Sequence, residues 1–531
     1  MGMRARVLIG GMMVALLCST GTAFAQKSGG VLRVFHRDNP PSTSIHEEST
    51  ASTVVPFMPV FNNLVLFDQA TAQNSEQSIV PDLAESWSWN DDGTELTFRL
   101  RQGVRWHDGL PFTSADVECT FNLLTARARD KLRSNPRAAW YRNINYVHSP
   151  NDYEVTIYLN RPQPSLLPLL ASGFSPIYPC HIPASQMRTR PIGTGPFKLD
   201  SFVPFDRVKL VRNPDYWKPD RPYLDGIEFT IVNSSSTALL SFMAGRFDMT
   251  FPWEVTVPQL KDARRRTSKV ACETTSMNNN TNLLVNRDAA PFDNPDIRRA
   301  LTLALDRKAF ISGFNDGEAE IGGTLQPPGD GMWGLPPEKL ATIDGYGPDV
   351  AENRERARAL MVKAGYGPER PLMLKVVTRG IALYKSPAQV LIDQLKDIHI
   401  HATLDVVETS HWFTRLSRKD YAIALNTTGN GVDDPDQAFY ENFSCRSERN
   451  YNRYCNPEIE RLFDIQSAEL DIEKRRELVW EIDARLLADG ARPPITWNRA
   501  ATCWQSYVKG YVAHVNSMAN GFRFEDVWLD K

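Results

Sequence analysis

Residues 421–436 read YAIALNTTGNGVDDPD. The stretch opens as a buried strand, with Tyr421, Ile423 and Leu425 on one side and Ala422 and Ala424 on the other. Small and apolar residues on both faces suit a strand covered on both sides. Its character then changes: Asn426, Thr427 and Thr428 are polar, Gly429 and Gly431 free the backbone, and Asp433, Asp434 and Asp436 crowd around Pro435. A central strand that runs into a flexible acidic loop is where α/β proteins bind ligands. The plain alternative is a surface turn rich in Asp and Gly.

Working outward, the amino end reads as a secretory signal peptide. Arg4 and Arg6 precede an apolar run from Val7 to Leu17, and Ala23-Phe24-Ala25 has the A-x-A form of a cleavage site. Cleavage after Ala25 would leave 531 − 25 = 506 residues. The run is too short to span a bilayer, and Leu17 stands before Cys18 where a lipidation signal wants a small residue. With 42% hydrophobic residues, the chain has apolar material for at least two cores. A net charge of −3 provides no basic field for nucleic acid. Six cysteines follow the signal, in a compartment where they can pair.

From 31 to 68 the pattern is a strand (VLRVFH), a polar stretch at 38–53 that lines something or runs over the surface, and an apolar close. Asp91-Asp92-Gly93 separates two alternating strands, a hairpin signal. Pro295 and Asp296 open an apolar stripe of Ile297, Leu301, Ala304 and Leu305 that predicts a helix over 295–311. Residues 352–364 carry acids early and stop before Gly365. Helices are expected at 458–470 and 472–488, and strands at 227–232, 372–378, 400–407 and 421–425. Strands interleaved with helices argue for α/β lobes.

Residues 80–117, with Leu100-Arg101, Trp106-His107-Asp108-Gly109 and Thr113-Ser114-Ala115-Asp116-Val117, carry a resemblance. They are similar to the signature of family 5 bacterial extracellular solute-binding proteins, the dipeptide/oligopeptide-binding group of ABC importers. Gly193-Thr194-Gly195-Pro196-Phe197, Asn213-Pro214-Asp215-Tyr216-Trp217, FDNPDIRRALTLALDRKAFI (292–311), ENRERARALMVKAGY (352–366) and the DDPD loop follow at family-like intervals. The resemblance implies a two-lobed periplasmic binding protein (type II, cluster C-like) of α/β class. Lobe I would take 26–66, 188–285 and 505–531, an extra subdomain 67–187, and lobe II 286–504, with a hinge where the chain crosses near 285 and 505. It further implies a monomer without cofactor or metal that passes a peptide or other small solute to a membrane permease driven by ATPases. The near-balanced charge and the lack of a heptad run agree with a monomer.

The residues show no catalytic pattern: no G-x-S-x-G, no phosphate loop and no complete H-E-x-x-H, since residue 50 is Thr. His107 and Asp108 are adjacent, so a strand would point them apart. A secreted hydrolase is the competing reading, because a catalytic constellation can be assembled from distant residues. For binding, the resemblance points to Thr427, Thr428 and Gly429 as an edge that pairs with an extended peptide. It also points to Trp412 as a cleft wall, with a core Trp as the alternative, and to Tyr384 as a ligand contact. Arg379 would take a carboxylate or else be solvated. The related peptide binders place an Asp four residues before the loop proline to hold the ligand's ammonium. Gly431 stands there, which leaves Asp433 as the candidate, because Asp434 and Asp436 can cap the next helix. If neither acid reaches the cleft, the expected ligand is one without an ammonium: a sugar derivative, an opine-like conjugate or another polar solute. Cys445 and Cys455 resemble the short-loop disulfide of dipeptide binders. Cys119 is expected as a buried thiol in a helix, and Cys180, Cys272 and Cys503 have no partner assigned by sequence.

Overall fold

The computed structural model describes residues 26–266, 269–314 and 317–531. The signal-peptide reading of 1–25 lies outside the described residues. Strand Ile423–Gly429 sits third in a five-stranded sheet, in the order Ile400–Val407, Leu372–Arg379, Ile423–Gly429, Val270–Val285 and Pro494–Gln505. Its neighbours run parallel on one side and antiparallel on the other. Both faces are covered, as its composition predicts. Ile423 and Leu425 pack with Ile297, Leu301, Leu391 and Leu395 under helices Pro295–Ala304 and Ala382–Lys396. Ala424 packs on the opposite face with Leu284, Val377 and Trp412. Tyr421 joins that second cluster, not the Ile423 face, because the strand begins only at Ile423 and the alternation does not reach back to it. The strand also extends to Gly429, through residues whose polarity reads as loop. The stripe over 295–311 is two helices. The first stops at Ala304, and Asp306 caps the second through the Ala309 N–H at 3.0 Å. Helices Val350–Lys363, Pro457–Ala468 and Ile472–Ala488 fall where expected.

A second sheet, ordered Val31–His36, Gly226–Ile231, Arg207–Arg212 and Phe197–Val203, lies in the other half of the molecule. A four-stranded antiparallel sheet over 84–159 packs into the same core, through Leu96, Phe98 and Trp106. The signature around Trp106 holds that junction. The His107 N–H donates to the Gly193 carbonyl at 2.9 Å, the Gly193 N–H donates to His107 Nδ1 at 3.3 Å, and His107 Nε2 meets the Gly195 carbonyl at 3.0 Å. Asp108 turns away to His181 at 2.7 Å. A Cβ on Gly193 or Gly195 would lie 1.9 Å and 2.5 Å from carbonyls of Val60 and Pro59, so only glycine allows this close approach.

The halves are joined through Val270–Val285 and Pro494–Gln505, which pair antiparallel along their length. Met277, Ala500 and Cys503 belong to one core, and Leu283 and Ile495 to the other. The register breaks between Ser276 and Asn280, at the changeover between the two cores. The sequence-based boundaries at 285 and 505 fall at the ends of these strands.

All six described cysteines are paired. Cys445–Cys455 forms as the resemblance implies. Cys272–Cys503 joins register partners of the two crossing strands. Cys119–Cys180 corrects the reading of Cys119 as a free thiol: it is on helix Ser114–Leu124, but 178–180 packs against that helix and brings the second sulfur to it. Such a partner 61 residues away leaves no trace in local pattern.

Candidate functional site

A closed cleft lies between the halves. Its central chamber, about 30 Å³, is walled by Arg37, Thr50 and Trp253 from one half and by Arg379, Tyr384, Thr427, Gly429 and Arg449 from the other. A neighbouring chamber of about 100 Å³ shares Trp253 and Leu383 with it and is lined by Glu254, Gln259, Phe310, Asn498 and Arg499. Together they fall short of the roughly 300–1,000 Å³ of ordinary ligand sites, so a solute enters only when the lobes part.

The strand edge is the part of this chamber that sequence anticipates. The Asn430 N–H donates to the Asn278 carbonyl at 2.9 Å. Alternation along the antiparallel ladder then turns the backbone groups of Asn426 and Thr428 toward Val270–Val285, and those of Thr427 and Gly429 away from it. On that outward side, Leu372–Arg379 pairs only with Ile423 to Leu425. Thr427 and Gly429 therefore present backbone donors and acceptors to the chamber without a neighbouring strand. Thr428 does not: its side chain is buried behind the edge and meets Asn282 at 2.8 Å and Arg492 at 3.2 Å. Met518 covers Gly429, where a Cβ would lie 2.0 Å from its sulfur.

Arg379 and Tyr384 both reach the chamber. Tyr384 Oη accepts from Thr427 Oγ1 at 2.6 Å. Arg379, at the end of its strand, is fully buried and donates to Asp38 Oδ2 at 2.5 Å, to Ser52 and to Thr50. Thr409 donates to the same Asp38 oxygen at 2.5 Å, and Ser52 donates to Oδ1 at 2.6 Å. Asp38 thus comes from one half and is gripped by the other. Burial raises its pKa, but Arg379 and Arg37 outweigh burial and hold the carboxyl well below the usual range. The solvated reading of Arg379 is excluded by this geometry.

Two expected site residues lie elsewhere. Trp412 is wholly buried, edge-on to Tyr384 with centroids 6.0 Å apart, behind the chamber wall. An amphipathic helix places it on the sheet, and its apolar area is spent in the core of that lobe. Asp433 is absent from the lining. Its carboxylate accepts from the Met332 N–H at 3.1 Å, and the Trp333 indole donates to its carbonyl. Burial pushes its pKa up to about 7. Asp434 caps helix Pro435–Phe443 through Asp436 N–H, as a cap reading predicts. Asp436 and Asp434 then hold Arg475. Nor could an Asp at Gly431 open into the cleft here, because a Cβ there would press on Ser172 Oγ at 2.9 Å and Phe174 at 3.1 Å.

Sequence reasoning missed Arg37, Trp253, Glu254, Arg449 and Met518. One signal was available for the first: the polar stretch from 38 follows directly on strand Val31–His36, so that strand's carboxyl end is a ligand-side end. For Trp253 and Glu254 no local pattern exists. Among the described residues, no cluster of His, Cys, Asp and Glu could hold a metal ion, and no helix is long and apolar enough to cross a membrane.

Residues 78–450 match the family model for bacterial extracellular solute-binding proteins, family 5 Middle. The chain belongs to this family. Among relatives of the family 5 protein, a probable di/tripeptide-binding protein 5 of Pseudomonas aeruginosa (strain UCBPP-PA14) is 27% identical, over 85% of this chain and 87% of the relative. The periplasmic binding protein DppA of Helicobacter pylori, solved with the peptide STSA, superposes with a TM-score of 0.83 at 22% identity, covering 95% of this chain and 99% of that one. AgaA from A. tumefacien R10, solved with agropinic acid, gives 0.79 at 21% identity, covering 94% and 99%. These two likenesses fix the fold, a two-lobed α/β binding protein. Relatives of this family 5 chain bear the names of binding proteins, not enzymes.

Proposed function

We propose that this chain is the periplasmic capture component of an ABC importer, closing two lobes on a peptide or peptide-like solute. One observation carries the reading: an edge of backbone donors and acceptors at Thr427 and Gly429, unpaired by any strand, faces a buried chamber between the lobes. An extended peptide meets such an edge with its own backbone, whatever its side chains. The crossing strands, with their register break at 276–280, are the natural place for the lobes to swing. Lobe I comprises 26–66, 188–285 and 505–531 with subdomain 67–187, and lobe II 286–504. Closure is favoured only as far as a ligand interacts better with the closed state. The ligand-facing residues are Thr427, Gly429, Tyr384 and Arg379.

The test is titration calorimetry with di- to pentapeptides, followed by mass analysis of the recovered ligand. Saturable binding with intact peptide supports capture, and cleaved peptide supports the hydrolase reading. A second reading, a non-peptide anionic solute such as an opine-like conjugate, is favoured by one observation. The central chamber is lined by Arg37, Arg379 and Arg449 and by no carboxylate. A screen of conjugates in which peptides fail would establish it. The chain is exported with cleavage after Ala25 and works as a monomer, handing its ligand to a permease pair driven by cytoplasmic ATPases. Intact-mass analysis of the exported form checks a start at Gln26, and light scattering checks the monomer.

A further inference from the structure

The loss of Asp433 from the cleft leaves a peptide's ammonium without its expected partner. An ammonium enclosed without a carboxylate is prohibitively costly, so a peptide site needs one somewhere along the cleft. Glu254 is the carboxylate placed to serve. It stands on the lobe I side of the cleft, next to Trp253, the residue shared by both chambers. Its side chain is 9% exposed. Among the described residues its ion-pair partner is Arg37, whose Nη1 lies 3.7 Å away. Arg37 is itself buried, and its Nε has no hydrogen-bond partner. The other charges around Glu254 are Asp38 and Arg379, which are satisfied by each other. A carboxylate buried in the cleft wall beside one cation at 3.7 Å keeps capacity to receive a second cationic group.

The backbone makes this placement deliberate. Trp253 has φ 57°, a conformation costly for a bulky side chain. It is held there by its N–H, which donates to Thr502 Oγ1 at 3.0 Å, and by the pairing of Val255 with Ala501 on a crossing strand. These contacts aim Glu254 into the chamber beyond Trp253, which Asn498 and Gln259 also line. The central chamber on the near side carries three arginines. The chamber at the strand edge thus has arginines in its lining and no carboxylate, whereas Glu254 stands one chamber away, beside an Arg499 already paired with Asp330 and Glu320.

Building on the peptide-capture reading, we propose that Glu254 binds the ligand's ammonium group. The ligand then lies across both chambers, its carboxylate end toward the arginines and its amino end past Trp253. The family 5 chain would so take its amine contact from lobe I, replacing the acid lost from the 431–436 loop.

The experiment is calorimetry of di- to pentapeptides and their N-acetylated forms on the wild type, Glu254→Gln, Glu254→Asp and Asp433→Ala. For free-amine peptides, acetylation and Glu254→Gln should each weaken binding by about 30-fold or more. The two losses should not add, because they remove the same contact. Acetylated peptides should bind wild type and Glu254→Gln alike, which also shows that the variant is folded. Glu254→Asp should weaken free peptides by less than Glu254→Gln, and Asp433→Ala should change binding by less than about threefold. If free peptides bind and Glu254→Gln leaves them unchanged, or if the two losses add fully, the assignment of Glu254 is overturned while peptide capture stands. If no peptide binds in either form, the peptide reading falls and takes this assignment with it.

Discussion

Arg379 with Asp38, and Arg475 with Asp434 and Asp436, are two arginine–carboxylate groupings of nearly equal burial. The first joins the lobes: Asp38 follows a lobe I strand, while Arg379 and Thr409 belong to lobe II. The second is centred in lobe II, where Asp434 caps a helix and Asp436 accepts from Ser467 and Gln466, with one further bond from Ser165 of the lobe I subdomain. The same chemistry has different consequences because of topology. When the lobes part, Asp38 and Arg379 both return to water and their burial cost disappears. The pairing of Arg475 with Asp434 and Asp436 stays inside lobe II when the lobes part, and only the bond from Ser165 is lost. One grouping therefore sets an equilibrium between two folded states, and the other sets the stability of the fold.

That contrast breaks down most readily at Arg475. Arg475→Met leaves two buried carboxylates without their cation and should cost about 3–5 kcal/mol in denaturant unfolding. A loss below about 1 kcal/mol would put both groupings in the same class. Next, replacing Cys445 and Cys455 together by Ser should cost about 2–3 kcal/mol through the freed ten-residue loop. The bridge lies wholly in lobe II, so solution scattering should show no change in the radius of the unliganded protein.

Asp38→Asn should act the other way. It should shift the lobes toward the open form by about 2 kcal/mol, read as a larger radius of gyration by small-angle scattering. Its unfolding midpoint should move less than that of Arg475→Met, because opening lets Arg379 rehydrate. An unchanged radius would remove the latch.

The pH dependence of closure sharpens the comparison at lower amplitude. The Asp38 pKa is depressed in the closed protein, so its contribution is present above its free value near 4 and is lost as pH falls through the depressed one. Glu254 has the opposite sign. Burial raises its pKa to about 7, so its contribution is complete below about 4.3 and is lost as pH rises toward 7. Unliganded closure should therefore be most favoured at about pH 4, where the two windows meet, and weaken progressively as pH rises toward 7. Glu254→Gln should abolish only the upper limb. The smallest effect is expected from Asp433→Ala, below about 1 kcal/mol in stability, because losing its bonds to Met332 N–H and Asn516 is offset by relief of a buried carboxyl.

Much of lobe II was legible from local pattern. Ile423, Ala424 and Leu425 announce a strand covered on both faces, and Asp434 with Pro435 announces a helix start. These signals arise from interactions within a few residues, where spacing and side-chain type suffice. Of the residues to which the resemblance pointed, Thr427, Gly429, Tyr384 and Arg379 line the chamber between the lobes. Thr428, which the resemblance grouped with its two neighbours, turns inward because strand alternation decides which backbone groups face the chamber. Trp412 was misread because an aromatic that walls a cleft and one that fills a core carry the same sequence signature.

The amino-acid order by itself determined the class of fold, the strand at the centre of lobe II and the family to which the chain belongs. All three rest on periodicity, caps and motifs that act over short range. Only the tertiary structure decided the cysteine pairing of 119 with 180 and of 272 with 503, the burial of Trp412, the removal of Asp433 from the cleft, and the meeting of Arg37, Asp38, Glu254 and Arg379. These are contacts between segments up to several hundred residues apart. Which side chains meet there depends on how two lobes and a subdomain close on one another, and no local spacing in the chain encodes that.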